Sequence, residues 1–440
     1  MVIPMVMTTE ATISMPVAPL TAEDTGVGSD LILQLVAKTL HFGGELSGTE
    51  LASRLGVRFQ VIEPTLDFLK RERQCEIAGG ALLGSPSYRY RLTDAGRTRT
   101  ALFLEHNHYV GHLPVPLDQY LSYMRGSGRD RSLTVTRQAV RRAFAHLVLN
   151  DRVLDQLGPA LAARHSLFVY GPPGNGKTVI SQAIRNVLVG DIAIPHAVSV
   201  DGHIIRLFDP VNHEVVEPSA QSHGFERDVV VDERWVHCRR PLVTVGGELT
   251  LDALELGYNA VSGFYNAPLQ MIANGGVLVI DDFGRQHASP RDLLNRWIVP
   301  LEARVDYMTL QTGQKFQIPF EALIVFATNL NPRDLVDEAF LRRIHYKVLA
   351  ESPTVEEFIT IFENYCRDRR LEFDPHLVEA LIATELAPRK VHLRGCQPRD
   401  LIEQALALAT YLDQPRRITL ELLQAACASY FVNDREVSEA

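Results

Sequence analysis

Apolar positions change their spacing along the chain, and each change predicts a different kind of element. Leu31, Leu33, Leu35, Val36 and Leu40 recur at helical intervals. Ser47-Gly48-Thr49-Glu50 then opens a second helix, Glu50 to Leu55, which Gly56 closes. Val61, Leu66, Phe68 and Leu69 mark a third amphipathic segment, in which Pro64 predicts a kink or a delayed start. After Gly79-Gly80 the alternation Tyr88-Arg89-Tyr90-Arg91-Leu92 reads as one strand of a hairpin. A long α/β stretch follows, to about residue 350. Its short apolar runs have the character of buried parallel strands. Residues 351–440 are helix-patterned almost throughout, with Phe358, Ile359, Ile361 and Phe362, then Leu377, Leu381 and Ile382, then Leu401, Ile402, Leu406 and Leu408. There is no internal repeat.

These patterns predict an α/β protein of several units. Residues 1–29 carry no Lys or Arg and no sustained apolar core, so they do not read as a secretory signal, and a disordered tail is expected. Residues 30–105, three short helices and a β-wing, resemble a winged helix, and the run from Gly48 to Gly56 is similar to the first half of such motifs. Residues 106–131, with Pro114, Pro116 and Gly126-Ser127-Gly128, suit a linker. A nucleotide-binding core is expected over 132–350, with an insert at about 191–270, and a helical lid over 351–440.

Composition narrows the classes. The 440 residues are 46% hydrophobic and 22% charged, a globular balance. The net charge of −9 excludes a general polyanion binder, because such a chain repels phosphate backbones on average. Residues 30–105 hold ten Lys plus Arg against nine Asp plus Glu, a weak basic footprint for DNA. Its presumed recognition helix mixes Arg58, Lys70, Arg71 and Arg73 with Glu63, Asp67 and Glu72. The five cysteines are scattered, odd in number and without a CxxC pair, so a reducing, cytoplasmic setting is expected rather than a disulfide framework. No apolar run reaches the roughly 18 residues that cross a bilayer. His203, Asp209, His213, His223, Asp232, His237 and Cys238 lie in the insert without the tight spacing of a zinc site, and the histidines read as solvated loop residues.

The chemistry concentrates at Ser166-Leu167-Phe168-Val169-Tyr170, an apolar run that leads directly into Gly171-Pro172-Pro173-Gly174-Asn175-Gly176-Lys177-Thr178. This matches G-x-x-x-x-G-K-[ST], and Val179, Ile180, Ala183 and Ile184 continue with helical spacing. Glycines let successive backbone N–H groups turn around a phosphate, and the helix N-terminus adds partial positive charge. In this pattern Lys177 reaches the β- and γ-phosphates of ATP, and the Thr178 hydroxyl ligates Mg²⁺.

Three later segments extend the pattern. Val277-Leu278-Val279-Ile280-Asp281-Asp282 resembles a Walker B strand, which implies that Asp281 holds Mg²⁺ and Asp282 polarises the attacking water. The usual pair is Asp-Glu. Aspartate is shorter by a carbon–carbon bond of about 1.5 Å, and misplacement on that scale costs about a hundredfold in rate. Ala322-Leu323-Ile324-Val325-Phe326-Ala327-Thr328-Asn329 is similar to a sensor-1 strand, with Asn329 on the water or γ-phosphate. Asp337-Glu338-Ala339-Phe340-Leu341-Arg342-Arg343-Ile344 resembles an arginine-finger segment, with Arg342 or Arg343 as the finger. Gly395-Cys396-Gln397-Pro398-Arg399-Asp400-Leu401 looks like a sensor-2 segment, with Arg399 facing the nucleotide.

Together these residues resemble the AAA+ superfamily. Ala273-Asn274-Gly275-Gly276, Leu301-Glu302 and Thr312-Gly313 are similar to its MoxR, magnesium-chelatase and sigma-54-activator branch. The resemblance implies a P-loop three-layer parallel sheet, ATP and Mg²⁺ as cofactors, and a ring oligomer of the chain, such as a hexamer. It leaves three functions open. One is an ATP-driven remodeller of a protein partner. Another is a DNA-binding or DNA-remodelling ATPase that uses residues 30–105. The third is a slow ATP-dependent switch, motivated by Asp282.

Overall fold

A computed structural model describes residues 15–80, 84–129, 135–188, 190–217 and 230–431. They fall into two compact units whose segments alternate along the chain. The first gathers the described residues of 1–134, 188–278 and 286–324, and the second those of 135–187, 279–285 and 325–440.

The first unit begins earlier than the sequence suggests. Residues 1–14 of the expected tail lie outside the described residues, but from Met15 the chain is packed. Ala18 N donates to Val230 O at 2.9 Å, and Thr25 and Val27 are buried. Arg234, in a fully buried ion pair with Asp232 at 2.8 Å, donates to Thr25 O at 3.1 Å and so pins this segment. Helices Ser29–Gly43, Gly48–Arg54, Phe59–Arg71 and Asp94–His106 then pack with a small antiparallel sheet. Its order is Glu45–Ser47, Tyr88–Leu92, Cys75–Gly80. The second helix starts at a capping box, in which Glu50 N donates to Ser47 Oγ at 3.1 Å and Ser47 N to Glu50 Oε2 at 2.7 Å. Pro64 neither delays nor ends its helix, which begins five residues earlier and runs on to Arg71. Buried Val61, Ile62, Leu66 and Leu69 give that helix a core face that outweighs the lost backbone bond.

The expected linker is part of the same unit. Val115–Pro116 joins a second five-stranded sheet, and Leu117–Arg129 is a helix with Tyr120 and Met124 fully buried. Strands from the expected insert, Ala197–Val200, His203–Arg206, Gly257–Asn259 and Phe264–Asn266, complete that sheet. The hairpin Val305–Thr309 with Lys315–Pro319 adds Met308 and Ile318 to the same core. Pro116 lies within that strand and Gly126 and Gly128 within that helix, so these residues are built into the elements they were expected to separate.

The second unit is the P-loop α/β core with a helical C-terminal region that the sequence predicts. Its strands run parallel: 325–328 pairs with Leu167–Tyr170, and Tyr346–Leu349 pairs on the other side. Thr328 and Leu349 both lie opposite Tyr170, so three carboxyl ends finish level. The positions of Leu167–Val169 and 325–328 are buried, which explains their unbroken apolar runs, whereas Tyr346–Leu349 leaves Lys347 exposed. Four C-terminal helices, Val355–Asp368, Pro375–Leu381, Gln397–Tyr411 and Leu420–Tyr430, close around Phe358, Phe362, Leu381, Leu401 and Leu423. No helix among the described residues is long and apolar enough to cross a membrane.

Candidate functional site

The loop after Tyr170 and the residues after Ile280 and Thr328 meet at one edge of the second unit. Gly171 N donates to Thr328 O at 3.3 Å, which ties the first residue of the loop to the neighbouring strand. Gly171, Gly174 and Gly176 take φ of +142°, +83° and +73°, values that side chains resist, so the glycines are what allow the loop its curvature. Lys177 follows, 7% exposed. Its ammonium folds back and donates to Gly171 O at 3.1 Å and Pro172 O at 2.8 Å. Burial pulls its pKa below the usual lysine value, against the opposing pull of Asp282 and Asp281.

The acids stand beside it. Thr178 Oγ1 donates to Asp281 Oδ2 at 2.7 Å, and Asp281 Oδ1 accepts from Asp282 N at 3.0 Å. The two oxygen donors the sequence names for Mg²⁺ are therefore adjacent, a hard donor set that fits a cation shared with phosphate. Asp282 itself sits at φ 48°. Aspartate tolerates that region better than most residues, and such strain gathers at functional sites. A brace missed in the sequence holds the turn: Phe283 N donates to Ala327 O at 2.7 Å, and Thr328 Oγ1 donates to Phe283 O at 2.7 Å. Asn329 Nδ2 donates to Asp282 Oδ1 at 2.9 Å, so the expected sensor is directed at the expected base. Thr328 reads as one more apolar-run residue in the sequence. Only its position two residues before Leu330, whose N–H it also accepts at 3.1 Å, betrays a turn role.

Gly174, Asn175, Gly176, Lys177, Thr178, Asp281, Asp282 and Asn329 all line one cleft of about 680 Å³. Val148, Leu149, Ile180 and Ile361 give it an apolar end, and Arg399 reaches it from the C-terminal helices. Arg399 also pairs with Asp400 at 2.8 Å. Two loop carbonyls are held from the same helical region, Pro173 O by Arg394 Nη1 at 2.5 Å and Gly174 O by Cys396 N at 2.8 Å. Sequence reasoning missed Arg394, which carries no motif signal of its own.

Arg342 and Arg343 are not brought to this cleft. Both end the helix Glu338–Arg343, whose start Asp337 caps through Phe340 N at 3.1 Å. Arg342 lines a separate open groove of about 850 Å³ with Arg333, Asp337, His345 and Lys347. The Arg343 guanidinium lies 5.6 Å from the Phe340 ring centre. The sequence cannot separate neighbouring arginines, whereas the helix sends them to different surroundings.

In the first unit the expected branch motifs have packing roles. Asn274 Nδ2 donates to Tyr120 Oη and Pro319 O, both at 2.9 Å, and Asn274 Oδ1 accepts from Glu321 N at 2.9 Å. Gly313 turns the hairpin at φ +82°. His213 is buried at 2% exposure, not a solvated loop residue. Its Nδ1 accepts from Asp209 N at 2.9 Å and its Nε2 bonds Ile272 O at 2.9 Å. His223 lies outside the described residues.

A family model described as a domain of unknown function, DUF8689, matches residues 354–429, the C-terminal helices. No curated protein matches the chain. Among solved structures, the chain is similar to NtrX from Brucella abortus in complex with ATP, at 14% identity and a TM-score of 0.40, over 66% of this chain and 57% of that one. The ADP complex of NtrX gives 15% identity and a TM-score of 0.40, over 68% and 61%. The chain thus spans less than two thirds of those NtrX chains. The RuvB Holliday junction branch migration motor of Thermotoga maritima gives 16% identity and a TM-score of 0.36, over 65% and 71%.

Proposed function

We propose that this chain binds and hydrolyses ATP as an AAA+ enzyme, and that it works as an oligomer that remodels or switches a protein partner. The observation that carries the reading is the convergence of Lys177, Thr178, Asp281, Asp282 and Asn329 on one cleft beside a glycine-curved loop. Lys177 exchanges its two loop carbonyls for the β- and γ-phosphates. Thr178 and Asp281 hold Mg²⁺, which when bound neutralises charge on the phosphates. Asp282 accepts the proton of the attacking water, and Asn329 orients both carboxylate and water. Arg399 meets the nucleotide from the helical side.

Arg342 is the better candidate for a finger, because it lines an open groove while Arg343 lies over Phe340. A finger outside its own cleft has to act on a neighbouring copy, as a ring assembly would allow. An arginine there stabilises charge spread over the transferring phosphoryl group.

We read residues 30–105 as a winged-helix-like docking module for protein. Lys70 pairs with Asp67 at 2.7 Å, Arg89 with Glu45 at 2.6 Å and Arg91 with Glu76 at 2.7 Å. Three of the module's ten Lys and Arg are matched to acids in this way, which weakens the surface's pull on a phosphate backbone. A slow switch is the second reading, favoured by the strained Asp282 held by Asn329. The test is ATP affinity and turnover with and without duplex DNA. Binding with turnover that ignores DNA supports the protein remodeller. DNA stimulation overturns the docking role, and retention without turnover favours the switch.

A further inference from the structure

The phosphate loop would grip an anion through backbone N–H groups, so its peptide orientations matter more than its side chains. A trans peptide is planar and directs its C=O and N–H to opposite sides, and the described chain has no cis peptide. Whatever holds a loop carbonyl on one side therefore sets the next N–H on the other. Two consecutive carbonyls are held by one short segment of the helical region. Arg394 Nη1 donates to Pro173 O at 2.5 Å, and Cys396 N donates to Gly174 O at 2.8 Å. The N–H groups of Gly174 and Asn175 are thereby turned away from that segment.

The segment is itself braced from within. Gln397 is 1% exposed. Its Oε1 accepts from Arg394 N at 2.9 Å, and its Nε2 donates to His392 O at 3.1 Å. Gly174 leaves the room for this approach: a Cβ there would stand 2.6 Å from Cys396 Sγ and 3.5 Å from Arg394 Cδ. Arg399 lines the cleft, whereas the Arg394 guanidinium is directed at a carbonyl of the loop.

The geometry points to Arg394 as a positioning residue that presets the phosphate loop for any nucleotide bearing a β-phosphate, a role that rests on the ATP reading above. Arg394 acts through the loop peptides and not on the γ-phosphate. Its loss therefore weakens ADP and ATP by the same factor. A contact to the γ-phosphate would weaken ATP alone.

The experiment is titration of the full chain with ATP and with ADP, each with Mg²⁺, for wild type and Arg394→Ala, alongside thermal unfolding. The expected result is a fall of about tenfold for both nucleotides, the scale of one hydrogen bond from a charged donor, with an unchanged ATP-to-ADP ratio and a near wild-type unfolding midpoint. Arg394→Gln, which keeps an N–H donor, falls by less and serves if the alanine variant does not fold. Unchanged affinities overturn the proposal, as does a fall confined to ATP. A wild-type chain that binds neither nucleotide overturns the ATP reading itself, a result distinct from both.

Discussion

Lys177 has two carbonyl partners within its own loop and two carboxylates close enough to bias its charge. A phosphate must displace those carbonyls, so the side chain exchanges partners on binding. Lys177→Ala is expected to weaken ATP at least about 10- to 100-fold, since a hydrogen bond from a charged donor is worth roughly 1.5–3 kcal/mol. Equilibrium titration checks this. Asp282→Asn is expected to retain ATP while turnover falls about 10²–10⁴-fold, the range of a lost general base. Motif spacing singles out both residues, and the structure brings both to one cleft. The bond from Asn329 to Asp282 was not, because it depends on a positive φ that sequence does not declare for aspartate.

Lys38 offers a residue-scale test of the first unit. It is fully buried, its Nζ has no hydrogen-bond partner, and burial lowers its pKa to about 8. The folded state thus disfavours the proton that the unfolded chain keeps up to its ordinary value of 10.5. Between those values the unfolded state binds more protons, so stability rises with pH across that window, and below it the full cost stands. A shift of this size corresponds to about 3 kcal/mol. Lys38→Met is expected to stabilise the fold at neutral pH and to flatten the pH dependence of chemical denaturation between pH 8 and 10.5. A helical pattern of leucines around Lys38 gave no sign of this, because nothing in it shows which turn faces the core.

At the scale of elements, the parallel strands and C-terminal helices followed from apolar runs, since burial on both faces leaves no polar alternation to confuse them. The Asn274-Gly275-Gly276 turn shows the opposite. The sequence suggests a family signature, whereas the fold shows close packing. Gly276 would place a Cβ 2.1 Å from Pro241 O and 2.7 Å from Pro241 N. Gly276→Ala is expected to destabilise the fold by about 1–3 kcal/mol, as overpacking against backbone does, and urea denaturation measures it. The helix Glu338–Arg343 carries a different test. Arg342→Ala is expected to keep ATP affinity and lose about 10³-fold or more in turnover, the scale of an arginine finger. Arg343→Ala is expected to affect turnover less, and steady-state kinetics of the two variants compare them.

For the whole molecule, the linear domain map was the least legible part. The tail from Met15, the proline-rich 106–131 stretch and the insert all belong with the N-terminal helices in one unit. Local composition suggests boundaries. Long-range contacts such as Arg234 with Thr25 decide them, and these have no local signature. The residues proposed to hold a nucleotide, by contrast, all fall in the second unit, although they come from three separate chain segments. That unit also carries Arg342 outside the cleft, and on the proposed function such a finger serves a second copy of the chain.

Steady-state ATP turnover per chain, measured against protein concentration for wild type and Asp282→Asn, tests this most directly. The expected result is a wild-type rate that climbs with concentration to a plateau, and a variant that retains ATP with turnover near zero throughout. A wild-type chain that neither retains nor hydrolyses ATP at any concentration, or a variant as active as wild type, would contradict it.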